Sequence, residues 1–366
     1  MSREIYLDAP SLSDLEKEYL SKAIDSGYVS TVGPFVPEFE EKFADFLGVK
    51  KAIATQSGTA ALHMALYALG IGSGDEVIVP ATTFIATANP IIYVGAKPVF
   101  VDIDKKTWNI DPQEIEKNIT KKTKAIIPVH LYGNPCDMVS IMAIAKKYKL
   151  YIIEDATESL GSIYKDKQTG TFGDYGCFSF NGNKTITTGG GGMIVSDNLE
   201  GLEHIKFLIN QAKDDENSLY HPEIGFNYRM TNIEAALGLA QMEKLGEFLN
   251  KKKQFNELYK KELGTIDGVG FQDEYPQAQS SYWMNCLVLK KNIDILALKE
   301  KLKEKEIPTR NIFMPLMEFP PYKKYKQSNY KNSYYIHEKG LCLPSSTLNS
   351  SDSIYYVCKN LKDLVR

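Results

Sequence analysis

The residues best suited to chemistry begin at Ser179-Phe180-Asn181-Gly182-Asn183-Lys184, which runs at once into Thr187-Thr188-Gly189-Gly190-Gly191-Gly192. One lysine thus stands on a turn between an apolar strand and a glycine loop. A partly desolvated amine in such a place has its pKa lowered enough to attack a carbonyl and form a Schiff base. Taken alone, a solvated lysine in a polar turn explains the same residues, so the reading depends on what the chain can bring beside it.

Two further segments supply partners. In Ile53-Ala54-Thr55-Gln56-Ser57-Gly58-Thr59-Ala60-Ala61-Leu62-His63 a strand passes through Ser-Gly-Thr into an alanine-rich helix. Backbone N–H groups and hydroxyls at such a helix start form an anion site, although plain N-capping by Ser57 or Thr59 fits the same residues. In Ile152-Ile153-Glu154-Asp155-Ala156-Thr157-Glu158-Ser159 an acid ends a buried strand, at the sheet edge where α/β folds bind ligands. A carboxylate there either caps a following helix or holds a ring nitrogen protonated and makes the ring an electron sink. Phe84, in Thr82-Thr83-Phe84-Ile85-Ala86-Thr87-Ala88-Asn89, falls just after another strand, where it either joins the core or stacks on a planar ligand. Anion cradle, carboxylate, stacking ring and nucleophilic lysine together make up a site for pyridoxal 5'-phosphate. Two other phosphate motifs fail: Gly70-Ile71-Gly72-Ser73-Gly74 follows a helix instead of a strand, and Asn183 stands where a P-loop needs glycine before its lysine.

The elements that must position these groups follow from hydrophobic patterning. Glu76–Pro80, Pro98–Asp102, Ala125–Val129, Tyr151–Asp155 and Gly176–Phe180 read as buried strands, separated by helical patterns such as Met138–Tyr148. That alternation predicts an α/β fold with a large, mostly parallel sheet covered by helices on both faces. A long amphipathic helix is expected over Asn232–Leu249, with Lys251-Lys252-Lys253 continuing a solvated helix face. The boundary falls there: a large domain over residues 12–245, and a smaller α+β domain over 246–366 joined by the N-terminal arm 1–11. In the smaller part, Tyr282–Leu289 reads as a strand and Ile295–Lys305 as a helix.

Composition narrows the function. The chain has 366 residues, 43% hydrophobic and 24% charged, and a formal net charge of -3. It therefore has no overall basic field to draw nucleic acid or an anionic membrane. Its five cysteines and five histidines show no metal-ligand spacing, so no metal is expected. With neither a leader pattern nor a long apolar run, a cytoplasmic location is the expectation.

The same residues carry a family resemblance. From Tyr6-Leu7-Asp8-Ala9-Pro10 to Gly340-Leu341-Cys342-Leu343-Pro344-Ser345, and through Val129-His130-Leu131-Tyr132-Gly133-Asn134-Pro135 and Gly225-Phe226-Asn227-Tyr228-Arg229-Met230-Thr231-Asn232, the chain resembles the DegT/DnrJ/EryC1/StrS sugar aminotransferases, which have the fold type I of pyridoxal phosphate enzymes. The resemblance implies that Lys184 bears the cofactor, Asp155 pairs with its ring nitrogen and Phe84 stacks on it. Gly58, Thr59 and Ser179 match the phosphate cradle. Asn227 matches the asparagine that reaches the phosphate from a neighbouring subunit, which implies a homodimer with shared sites. Glu158 stands where the family more often has Gln or His, so tuning of Lys184, contact with the sugar and a plain surface acid all remain open. Asn181, Arg229 and Arg310 are candidates for substrate contact, the arginines because their planar forks pair with carboxylate or diphosphate.

The implied reaction moves an amino group from L-glutamate to a nucleotide-linked keto sugar. The local Ser-Phe-Asn-Gly-Asn-Lys form looks closest to members acting at C4 of UDP-linked 4-keto-6-deoxy-N-acetylhexosamines, of the bacillosamine and legionaminic acid type, in bacterial cell-surface glycan biosynthesis. Alternatives are GDP-perosamine synthesis, amination at C3, and a binding or regulatory protein that keeps the fold without turnover. A family dehydratase has histidine in place of the lysine.

Overall fold

The computed structural model describes residues 4–214, 219–289, 293–327 and 329–365. Its centre is a seven-stranded sheet made of β1 (Ala52–Thr55), β2 (Glu76–Pro80), β3 (Lys97–Val101), β4 (Thr123–Ile126), β5 (Tyr151–Asp155), β6 (Tyr175–Ser179) and β7 (Gly192–Val195), in the order β1-β7-β6-β5-β4-β2-β3. All pairings are parallel except those of β7, which runs antiparallel to both β1 and β6. Because β1, β2, β5 and β6 run the same way, Thr55, Pro80, Asp155 and Ser179 all end at one edge. The reversed β7 begins there, with Gly192 opposite both Thr55 and Ser179.

The apolar runs explain the layering. Strands β2 and β3 are buried almost throughout, as expected of a sheet covered on both faces. Helix α1 (Gly58–Ala68) is apolar nearly all round and is buried over most of its length between the sheet and outer helices. Helix α2 (Met138–Tyr148) has the bounds its pattern predicts and starts at Asp137, whose carboxylate accepts the N–H of Ser140. The strand expected over Ala125–Val129 is cut short after Ile126. Pro128 has no N–H to give the ladder, though its carbonyl still accepts from Asp155 at 2.9 Å.

Helix α3 (Asn232–Leu263) is longer than its amphipathic stretch and passes residue 245 without a break. Thr231 and Glu234 close its start in a reciprocal capping box. Its first half, through Ala235, Leu239, Leu245 and Phe248, packs with Phe39, Phe43 and Phe178 beside the main sheet. Its second half, through Phe255, Tyr259 and Leu263, enters a different core. That core is built on β8 (Val269–Phe271), β9 (Asn285–Leu289), β10 (Arg310–Asn311) and β11 (Gly340–Leu343), an antiparallel sheet in the order β8-β9-β11-β10, with helices α4 (Ile295–Glu304) and α5 (Ser351–Val365). The solvated face expected for Lys251-Lys252-Lys253 is corrected at one position. Lys253 is exposed, but Lys252 is buried and its Nζ donates to the carbonyls of Trp283 and Ser345, each at 3.0 Å.

The N-terminal arm is laced across both halves. Ser345 donates its N–H to the carbonyl of Leu7, Asn349 exchanges two hydrogen bonds with the backbone of Tyr6, and Gln241 donates to the carbonyl of Ser11. This path carries Asp8 to the carboxyl edge of the main sheet.

Candidate active site

At that edge lies a cavity of about 290 Å³ whose walls come from both halves of the chain. The start of α1 contributes Ser57, Gly58 and Thr59. Ser57 caps the helix by accepting the N–H of Ala60 at 3.1 Å, so the expected capping role is real, and the next two residues still open on the cavity. Gly58 is required by crowding: a Cβ there would come within 2.9 Å of Ser179 Cβ and 3.0 Å of Thr157 Cγ2. Gly192 is held still tighter, a Cβ meeting the Ser57 carbonyl carbon at 2.4 Å. The N–H groups of a first helical turn have no acceptor within the helix, which suits them to an anion.

Asp155 ends β5 almost fully buried at the cavity wall. It caps no helix. One carboxylate oxygen accepts the Thr87 hydroxyl at 2.7 Å, and the other accepts the N–H of Thr157 at 3.2 Å. Thr87 in turn meets the hydroxyl of Thr83 at 2.9 Å. Phe84 stands between these threonines in sequence and is 53% exposed while lining the cavity, so its ring is not a core residue but a bare aromatic face.

Lys184 and Glu158 meet in the same cavity, with Nζ 4.0 Å from Oε1 and side chains only 13% and 2% exposed. Glu158 Oε2 also accepts the N–H of Tyr132 at 2.8 Å, from a residue held in the left-handed region at φ 57°. Burial pushes the Glu158 carboxyl up to about 7, against the pull of Lys184 and of the Tyr132 N–H. Burial also lowers the Lys184 amine, more than Glu158 and Asp155 raise it. The 4.0 Å separation alone reads as an ion pair, yet both shifts favour the neutral forms. Burial is the largest cause of both shifts, and it makes the charged form of each group less favourable than in water.

Ser179, Asn181 and Arg310 also line the cavity. Arg310 Nη1 is 3.1 Å from Asp8, while its Nη2 is buried and unpartnered. Arg229 is not brought in, and Asn227, which the resemblance assigns to a neighbouring subunit's phosphate, lies outside the cavity of its own chain. Arg229 bridges the backbone of Thr55 outside the cavity, its Nε buried without a partner, and Asn227 is exposed and pairs with Asn210. Sequence reasoning passed over Trp283, Phe313, Asn183, Thr157 and Thr87, which also form the walls. Thr87 lies inside the segment that was read for Phe84, and its hydroxyl was the available signal there. Trp283 is one of two tryptophans in the chain, a rarity that marks it but gives no place for it.

The sequence profile of the DegT/DnrJ/EryC1/StrS aminotransferase family matches residues 10–362. The chain belongs to that family. It is 42% identical over 354 residues to GDP-perosamine synthase of Escherichia coli O157:H7, covering 97% of this chain and 96% of the relative. With dTDP-4-amino-4,6-dideoxy-D-glucose transaminase of Shigella dysenteriae it shares 35% identity over 372 residues, covering 100% of each. Among solved structures, the PLP form of Spr1654 from Streptococcus pneumoniae superposes with a TM-score of 0.94 at 26% identity, over 99% of this chain and 98% of that one. The protein is thus a pyridoxal phosphate-dependent sugar aminotransferase, with the fold its patterning predicts. The residues present fit the cofactor: the crowded Gly58 turn leaves room for an anion, Asp155 offers a fixed carboxylate, Phe84 a bare ring face and Lys184 a buried amine.

Proposed function

We propose that this enzyme moves an amino group from L-glutamate to the C4 keto group of a nucleotide-linked 4-keto-6-deoxy sugar, and that the sugar is the GDP-linked one leading to perosamine. The reading rests first on the meeting of Lys184, Glu158 and Asp155 in one cavity, all three side chains largely buried. The choice of nucleotide follows the E. coli relative, which favours the GDP alternative over the uridine-linked N-acetylhexosamine expected from the Asn181-Gly182-Asn183-Lys184 turn. A role in cell-surface glycan synthesis belongs to the same proposal.

When bound, the cofactor supplies an electron sink that makes the donor's Cα proton acidic. The protein's own residues do the rest. Gly58, Thr59 and Ser179 hold the phosphate, Asp155 keeps a proton on the ring nitrogen, and Phe84 fixes the plane. Lys184 Nζ takes a proton at one carbon and returns it at another, base and acid in turn. The neutral form, which burial favours, is the one able to accept that proton, and Glu158 stands 4.0 Å from the amine, where its charge bears on the amine's protonation. Arg310 Nη2, buried and unpartnered, suits a carboxylate or diphosphate oxygen.

Asn227 lies outside the cavity of its own chain, in keeping with a role at a second subunit's phosphate, so a homodimer with shared sites is part of the proposal. The division into residues 12–245 and 246–366 is retained, supported by the change of core along α3. A panel of GDP-, UDP- and dTDP-linked 4-keto-6-deoxy sugars, each with L-glutamate, tests the substrate. Amination of the GDP sugar at C4 is expected, and turnover confined to UDP or dTDP sugars overturns the choice of nucleotide. Borohydride reduction with peptide mapping separately tests whether Lys184 holds the cofactor.

A further inference from the structure

The face of Trp283 lies against the amine on which the proposed reaction turns. Lys184 Nζ sits 4.2 Å from the centre of the Trp283 ring, which is 2% exposed. We propose that Trp283 is a positioning residue of this site, its indole face being the station at which the Lys184 amine waits whenever it is not attached to the cofactor. This inference rests on the function proposed above.

Trp283 is held from several sides, so the station is fixed in place. Its Nε1–H donates to the carbonyl of Asn183 at 2.7 Å, which ties the ring to the turn carrying Lys184. Its own carbonyl accepts from the buried Lys252. Tyr132 stacks on the indole with centres 6.2 Å apart and planes 22° from parallel, and Phe313 stacks on Tyr132 at 5.3 Å. Tyr132 is also the donor to Glu158, so one residue positions both neighbours of the amine.

The charged groups around Nζ explain why an aromatic face is useful there. Glu158 is 4.0 Å away, and Asp155, Asp8 and Arg310 also act on the amine electrostatically. Asp8 is paired with Arg310, Asp155 is committed to the Thr87 hydroxyl and the Thr157 N–H, and Glu158 titrates near neutral pH. These carboxylates favour the ammonium, but each is also engaged by another partner, and the closest lies 4.0 Å from Nζ, beyond hydrogen-bond reach. An indole quadrupole attracts an ammonium and does not titrate. A four-carbon side chain without such a partner would sample many rotamers each time it was released, and would spend less time in line with the carbon whose proton it moves.

The test uses the full-length, cofactor-loaded enzyme with the amine freed by excess L-glutamate. The pH dependence of Lys184 acylation, read by peptide mass mapping, reports the amine directly. Single-turnover absorbance gives the rates of the two half-reactions. W283L removes the π face and with it a stabiliser of the charged amine, so the acylation midpoint is expected to move to lower pH by about one unit. Both half-reactions should slow by a similar factor, on the order of tenfold, with donor and sugar affinities changed less than about twofold. W283F keeps a π face and should stay within about threefold of wild type. If W283L does not fold, W283M supplies the same loss of the ring. An unmoved midpoint with unmoved rates, or a change confined to sugar affinity, overturns the proposal. Borohydride capture at Lys184 in the wild type separates that outcome from failure of the cofactor assignment.

Discussion

Glu158 divides its carboxyl group between two partners, with Oε1 4.0 Å from Lys184 Nζ and Oε2 on the Tyr132 N–H at 2.8 Å. Because the Glu158 carboxyl is raised from 4.5 to about 7, the folded protein binds a proton there that the unfolded chain has already released. Its contribution to stability is therefore full below the unfolded value and is lost as pH rises to about 7. E158Q cannot titrate. Between pH 4.5 and 7.5 the cofactor-free variant should gain on wild type by up to roughly 3 kcal/mol. Denaturant unfolding at several pH values measures this, and parallel curves for the two proteins would contradict it.

Gly58 permits a second prediction. The Cβ of G58A would meet Ser179 Cβ at 2.9 Å, Thr157 Cγ2 at 3.0 Å and the Phe178 carbonyl at 3.2 Å, two of them walls of the cavity. Relief moves Ser179 or the start of α1, at a cost of about 1–3 kcal/mol. Since both are assigned to the phosphate, cofactor affinity should fall about tenfold or more. Absorbance titration with cofactor reads this directly. Unchanged affinity would remove Gly58 from the phosphate site.

How much of this was legible beforehand depends on the range of the signal. The bounds of Tyr151–Asp155 and Met138–Tyr148 agree with their patterns because each element's burial is written in its own run of residues. Asp155 and Lys184 were legible for a related reason: a strand end and a glycine-flanked turn are local features. Trp283 and Phe313 reach the cavity from the second half of the chain, and Asp8 of the N-terminal arm reaches Arg310 in its wall; no local pattern encodes that meeting. Arg229 and Arg310 were equal by residue type, yet only Arg310 lines the cavity. The lysine run failed for a simpler reason. Neighbours on a helix point about 100° apart, so three consecutive residues span about 200°, and this part of α3 is covered on the side of Lys252 by the second half of the chain.

Lys252 makes that correction measurable. Burial lowers its amine from 10.5 to about 8, and Nζ is paired with two carbonyls instead of a carboxylate. Between those pH values the unfolded chain binds the proton that the folded protein rejects. Lys252 therefore contributes stability that is full above 10.5 and lost as pH falls through about 8. K252M has no such dependence. The stability of wild type relative to K252M should rise by roughly 3 kcal/mol from pH 8 to 10.5. A constant difference across that range would show the amine to be solvated after all.

The position of Asn227 gives the last prediction. The residue is exposed, pairs with Asn210 and takes no part in the cavity of its own chain. If it reaches the phosphate of a second subunit, K184A and N227A damage different subunits' contributions to one site. In a mixed dimer, one site then has both defects and the other has neither. Each variant alone should be weakly active or inactive, and equal mixtures, unfolded and refolded together, should recover about a quarter of wild-type activity per chain, since half the dimers are mixed and each has one intact site. If Asn227 served its own chain, every site in the mixture would be damaged and no recovery would occur. Activity after co-refolding, compared with each variant refolded alone, decides between the two arrangements.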